Sequence, residues 1–261
     1  MLIDTHAHIY LDAFDQDRKE TILRAKKADV RFILMPNIDT GTADAMHQVE
    51  ERFPDMCKSM MGLHPCSIKN DVESQLLKTK EFIDDRTYVA IGESGIDLYW
   101  DKTYFSQQKE ALKIQAQWAA ELNLPLVIHS RSSMDIILEL LEHWSITGLH
   151  GVFHCFGGST DQADRIIALG FMLGIGGTLT FKKSQLPQVL DQIDPKHLVL
   201  ETDSPYLAPE PYRGKRNESS YLSYVAEKLA LIYDSTASDI SDLTTKNAMK
   251  LFKLESTQTR S

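Results

Sequence analysis

The chain has 261 residues, 43% of them hydrophobic, enough to bury a full core and suited to one large α/β barrel. Its formal net charge of −9 argues against broad electrostatic capture of nucleic acid, so a polyanionic substrate would need local cationic help. No apolar run reaches the roughly eighteen residues of a membrane span, and the first strand begins at Leu2 with no room for a leader; with Cys57, Cys66 and Cys155 forming no CxxC pair, the expectation is a reduced, cytoplasmic, monomeric protein without membrane attachment or obligate protein partner.

Hydrophobic periodicity predicts eight strands, near 2–9, 31–37, 59–64, 87–93, 125–130, 151–156, 171–176 and 197–203. Between and after them lie helical patterns near 16–29, 41–53, 72–85, 104–123, 133–144, 160–169, 184–192, 219–234 and 239–253. Pro125 opens the fifth strand, Ser159 or Asp161 can cap the sixth helix, and Gly170 ends it. Strict alternation implies parallel strands with right-handed crossovers, and eight strands close a barrel. The predicted fold is a single (β/α)8 TIM barrel over 1–261, with its functional groups at the carboxyl ends of the strands. An open doubly wound sheet would gather ligands at one switch point rather than from five strands.

Those strand ends carry ligand-type residues. In Leu2-Ile3-Asp4-Thr5-His6-Ala7-His8, alternation points His6 and His8 to one face, with Asp4 deeper on that face. The third strand ends at His64, the fourth at Glu93, the fifth at His129, the sixth at His154, and the eighth at Glu201-Thr202-Asp203. A lone histidine after an apolar run is usually satisfied or solvated, and His47, His143, His150 and His197, in helices or before strands, are read that way. Several imidazoles and carboxylates gathered at one barrel mouth without a metal would be poorly paired. The predicted centre holds up to two divalent ions. His6, His8 and Asp203 hold one, His129 and His154 hold the other, and Glu93 bridges them. Asp203 would also accept the proton of an attacking water. Mixed imidazole and carboxylate donors lean toward Zn, Mn, Co or Ni over Mg. His64 is left as a ligand of an additional ion, a phosphate contact or a residue behind the ligands; Glu201 as an accessory ligand or an orienting group. Cys155 is read as packing rather than ligand.

Local positive charge is present at Phe181-Lys182-Lys183 and at Arg213-Gly214-Lys215-Arg216. With Arg131, the residues Lys182, Arg213 and Arg216 are candidate phosphate contacts. Tyr99, Trp100, Phe156, Phe181, Tyr206 and Tyr212 are candidates for stacking on bases, one or two of them in earnest.

The blocks Asp4-Thr5-His6-Ala7-His8, Gly62-Leu63-His64-Pro65, Gly92-Glu93-Ser94-Gly95-Ile96-Asp97, His129-Ser130-Arg131, His154-Cys155-Phe156-Gly157-Gly158, Thr180-Phe181-Lys182, Glu201-Thr202-Asp203-Ser204-Pro205-Tyr206-Leu207 and Arg213-Gly214-Lys215-Arg216-Asn217 resemble, in order and nearly end to end, those of TatD-family metal-dependent deoxyribonucleases of the amidohydrolase-like superfamily. The resemblance implies a (β/α)8 metal-dependent hydrolase with DNA or oligonucleotide substrates, acting as a 3′–5′ exonuclease. Cys66, Ser132 and Ser219 depart from the family pattern, which touches substrate preference more than hydrolysis. Two other readings stay open: a hydrolase of small amides, lactones or phosphoesters on the same binuclear site, and a non-catalytic metal or nucleic-acid-binding protein.

Overall fold

The computed structural model describes residues 1–255, so the end of the expected 1–261 unit, residues 256–261, lies outside the described residues. The strands are β1 (Leu2–Asp4), β2 (Val30–Pro36), β3 (Cys57–Met60), β4 (Ile91–Asp97), β5 (Leu126–Arg131), β6 (Gly151–Phe153), β7 (Phe171–Ile175) and β8 (Leu198–Leu200). The helices are α1 (Arg18–Lys27), α2 (Ala43–Arg52), α3 (Val72–Asp85), α4 (Phe105–Glu121), α5 (Met134–Trp144), α6 (Thr160–Ala168), α7 (Leu186–Leu190), α8 (Leu222–Ile232) and α9 (Ala237–Leu251). None is long and apolar enough to cross a membrane.

All strand pairs are parallel. They form a three-stranded run β1-β2-β3 and a five-stranded run β4 to β8 in sequence order. Two parallel bridges, Met61 with Ile91 and Ala7 with Ser204, join the runs at both seams. At the first seam Gly92 N–H donates to Met61 C=O at 2.9 Å, and at the second Asp203 N–H donates to His6 C=O at 2.9 Å. The strands thus form a ring with helices outside it, the α/β barrel architecture.

Val127, Val152 and Val199 share strand parity with His129, His154 and Glu201, so apolar side chains fill the barrel beneath a polar layer at its carboxyl end. Ile3, Leu34 and Met60 belong to the same buried cluster, to which α9 adds Ala248 and Leu251, and the residue after it Phe252. Ser159, rather than Asp161, caps α6: its hydroxyl accepts from Gln162 N–H at 3.2 Å while the Gln162 side-chain Oε1 accepts from Ser159 N–H at 3.0 Å. Gly170 follows that helix at φ +83°, where a side chain would be strained.

The fourth strand differs from expectation. It runs Ile91–Asp97 rather than 87–93, so Glu93 sits inside it and Asp97 ends it. The reason is Gly95, at φ +158°: a Cβ there would stand 1.9 Å from the carbonyl oxygen of His129. Without that atom β4 lies close against β5, pairing Gly95 with His129 and Asp97 with Arg131.

Candidate metal centre

Glu93 is at the middle of the site and its two oxygens face different histidines. Oε2 lies 3.2 Å from His6 Nε2 and 3.5 Å from His8 Nε2. Oε1 lies 2.8 Å from His129 Nδ1, 3.0 Å from His154 Nε2 and 3.4 Å from His64 Nε2. Asp203 Oδ1 completes the first side, 3.8 Å from His6 Nε2 and 3.7 Å from His8 Nε2. Donor atoms within 4.8 Å of one another form three sets: His6 with His8 and Asp203, His6 with Glu93 and His154, and His64 with Glu93 and His129.

The imidazoles of His8, His129 and His154 are backed by polar groups. His8 Nδ1 meets the Tyr10 hydroxyl at 3.0 Å, and that hydroxyl donates to Pro36 C=O at 2.7 Å. Tyr10 must therefore accept from His8 Nδ1–H, leaving the Nε2 lone pair facing the centre. Asp97 Oδ2 accepts from His129 Nε2 at 3.0 Å, so His129 turns Nδ1 toward Glu93. Glu201 Oε1 stands 3.5 Å from His154 Nδ1 and accepts from Cys155 N–H at 2.5 Å, which places Glu201 behind His154. Gly174 makes room for it, since a Cβ there would lie 2.4 Å from Glu201 Oε2. Asp4 is fully buried below His6 and accepts from Thr202 N–H and from its hydroxyl at 2.9 and 2.6 Å.

His64 is set the other way round. Its Nδ1 accepts from Cys66 N–H at 3.1 Å, so in the neutral ring the proton sits on Nε2, the nitrogen nearest Glu93. A ligand needs a lone pair there; His64 presents a donor.

Burial penalises charge throughout. It pushes His6 well below the ordinary histidine range, helped by His154, and lowers His64. Burial opposes the charged forms of His129 and His154 too, but Asp97 and Glu93 raise the first, and Glu93 and Glu201 raise the second. Glu93 resists burial because His154, His64 and His6 hold it well below the carboxylate range. Asp203, desolvated, rises to about 6.

Donor set and burial both fit a divalent cation. Both ring nitrogens of His6, His154 Nδ1 and Glu201 Oε2 are buried with no hydrogen-bond partner, an arrangement that costs free energy until something completes it. Four carboxylates, Glu93, Asp97, Glu201 and Asp203, gather around five imidazoles, a mixed nitrogen and oxygen donor set of the kind that holds a divalent cation.

A cavity of about 500 Å³ opens over this centre, lined by His8, His64, Glu93, His129, His154 and Asp203, and at its rim by Cys66, Arg131, Trp100 and Tyr206. The other candidate cations are not among the residues lining it. Arg216 is a correction: its guanidinium makes paired bonds of 2.6 and 2.7 Å to Asp17 and reaches Ala13 C=O at 2.7 Å, so it ties the segment after β8 to α1 instead of facing substrate. Arg213 stacks over Phe181 at 4.2 Å, and Lys182 is exposed beside it. Phe156 is fully buried and Tyr212 stacks on Tyr221 at 4.2 Å, which removes both as base platforms. Asp97 and Tyr10 were missed from sequence. Asp97 shares the parity of Glu93, a signal hidden by ending β4 too early.

The family model of TatD related DNase matches residues 3–253. The chain belongs to the TatD family. It is 39% identical over 256 residues to the uncharacterized metal-dependent hydrolase YabD of Bacillus subtilis, covering 97% of this chain and 100% of that one. It is 31% identical over 266 residues to the 3′-5′ ssDNA/RNA exonuclease TatD of Pectobacterium parmentieri, covering 97% and 100%. The crystal structure of YjjV, a TatD homolog from Escherichia coli, superposes with a TM-score of 0.91 at 28% identity, covering 97% and 98%.

Proposed function

We propose that this TatD-family protein is a divalent-metal-dependent phosphodiesterase that removes nucleotides from single-stranded nucleic acid ends, working from the 3′ end. The observation that carries the reading is the two-sided Glu93, with one oxygen among His6, His8 and Asp203 and the other among His129 and His154. The name of the Pectobacterium relative supports the substrate. His6, His8 and Asp203 would hold one ion, His129 and His154 a second, and Glu93 would serve both. Such ions polarise phosphoryl oxygens and make water a stronger acid. The donor set favours Zn, Mn, Co or Ni over Mg.

The protein's own groups supply the rest. Asp203, raised by burial to about 6, takes the proton released by the attacking water. Its backbone has φ +56°, a conformation costly for a side-chain-bearing residue, held by its N–H on His6 C=O at 2.9 Å and by Tyr206 N–H on its own carbonyl at 2.8 Å. Tyr10, Asp97 and Glu201 keep the imidazoles aimed. His64 presents Nε2–H to a phosphoryl or leaving-group oxygen, and Arg131 offers a planar fork to a phosphate.

The test is the metal-reconstituted protein on single-stranded DNA, duplex DNA and RNA labelled at either end. Stepwise shortening of single strands from the 3′ end is expected. No release from any nucleic acid, together with hydrolysis of small esters or amides, would replace this reading.

A further inference from the structure

Just past β4, Tyr99 and Trp100 are 59% and 68% exposed, an uncommon state for two large aromatic rings side by side. Their rings pack edge to face with centroids 5.0 Å apart. The turn that carries them is fixed, because Asp97 Oδ1 accepts the backbone N–H groups of Tyr99 and Trp100 at 2.9 and 3.1 Å. The other oxygen of that carboxylate holds His129. One side chain therefore sets both a histidine of the centre and the position of the exposed rings.

Arg131 lies over both rings, 4.1 Å from the Tyr99 centroid and 5.2 Å from that of Trp100. Among the described residues its guanidinium has no carboxylate partner and no hydrogen bond, in contrast to Arg216. Among the described residues it is also the only arginine or lysine lining the cavity. In a cavity otherwise rich in carboxylates, Arg131 marks where a phosphate is welcome. The indole beside it marks where a flat π-system is welcome.

We propose that Trp100 is the stacking platform for an unpaired nucleobase whose neighbouring phosphate lies against Arg131. This rests on the nuclease reading above and adds to it the group by which the strand is gripped. A paired base inside a duplex has both faces covered, whereas a base at a single-stranded end offers one to an indole. Every base has such a face, so the grip is tolerant of sequence. The platform belongs to the side of the centre where Glu93 Oε1 meets His129, since Asp97 ties it there. Tyr206, 53% exposed and 6.3 Å from the His8 ring centroid, flanks the opposite side and leaves the cavity open between.

The experiment measures binding, independent of turnover. Fluorescein-labelled short single strands with cleavage-resistant phosphorothioate linkages, one bearing all its bases and one with abasic residues at the bound end, are titrated into metal-loaded wild-type, W100F and W100A proteins, followed by anisotropy and by indole fluorescence. Trp118 and Trp144 lie half-buried in α4 and α5, so quenching of the exposed indole reports on Trp100. The wild type is expected to bind the base-bearing strand about tenfold more tightly than the abasic one, W100A to lose that difference, and W100F to keep most of it. The quench should vanish in both variants. A wild type that treats the two strands alike, or a W100A protein that weakens both equally, overturns the proposal. Failure of the nuclease reading would show separately, as absence of phosphodiester cleavage by a protein that still discriminates the strands.

Discussion

Removing the His64 side chain is expected to leave the metal content unchanged while lowering turnover, because the ring is turned to donate rather than to ligate. For Nε2 to bind a cation, the ring proton would have to move to Nδ1, where it would face Cys66 N–H at 3.1 Å. That exchange breaks one hydrogen bond and sets two donors against each other at an exposed position, a cost of about 0.5–1.5 kcal/mol, or roughly a 2- to 13-fold bias against ligation. As a donor to an oxygen that gains charge in the transition state, Nε2–H is worth on the order of 10²-fold in kcat. His64→Ala should therefore retain the wild-type number of ions by elemental analysis and by calorimetric titration with Mn or Zn. Its kcat should fall about 10²-fold, and His64→Gln, which brings back an N–H of similar reach, should recover part of the loss. A His64→Ala protein that binds one equivalent fewer of metal than the wild type, with a matched fall in thermal stability on metal addition, would refute the tautomer argument and make the set of His64, Glu93 and His129 an ion site.

Asp203→Asn nearly preserves shape but removes the proton acceptor; turnover should drop by about 10²–10⁴-fold at matched metal occupancy, and near-normal turnover would exclude the role. Chelation should lower the melting temperature of the protein, and readdition of a divalent ion at 100 times its dissociation constant should restore about 2.7 kcal/mol; a melting temperature indifferent to both treatments would deny the centre its cation. Asp17 is held well below the carboxylate range by its hydrogen bonds to Arg216, against a smaller opposing effect of burial and with help from Arg24. Since its pKa is lower folded than unfolded, its stabilisation is present at neutral pH and is lost as pH falls through the depressed folded value. Asp17→Asn should melt roughly 2–4 °C below wild type at pH 7, a modest gap because these side chains are about a third exposed, and calorimetry should show the gap closing in acid; a gap that widens with acidification would contradict the sign.

The eight strands, and the gathering of His6, His8, Glu93, His129, His154 and Asp203 at their ends, were legible because inward-facing polar residues at strand ends leave a pattern in the chain itself. What stayed hidden depends on pairings that sequence spacing does not encode. Arg216 carries an evident charge, yet its partner Asp17 lies 199 residues earlier, and only the folded ring brings α1 beside the segment after β8. The extent of β4 was obscured by Gly92-Glu93-Ser94-Gly95, a stretch of poor strand propensity that pairs because its glycines admit close neighbours: a Cβ at Gly92 would meet Val127 Cβ at 2.6 Å. Read as a longer strand, parity alone would have put Asp97 on the face of Glu93. The role of His64 was undecidable for a different reason, since its tautomer is set by one backbone N–H, that of Cys66. Cys66 is also a position where this chain departs from the family pattern, but the group that fixes the ring is main chain and survives the change of side chain. The departure should therefore alter the cavity rim that substrate meets while leaving the proton on His64 Nε2, so a substitution at Cys66 belongs with tests of substrate preference and one at His64 with tests of turnover.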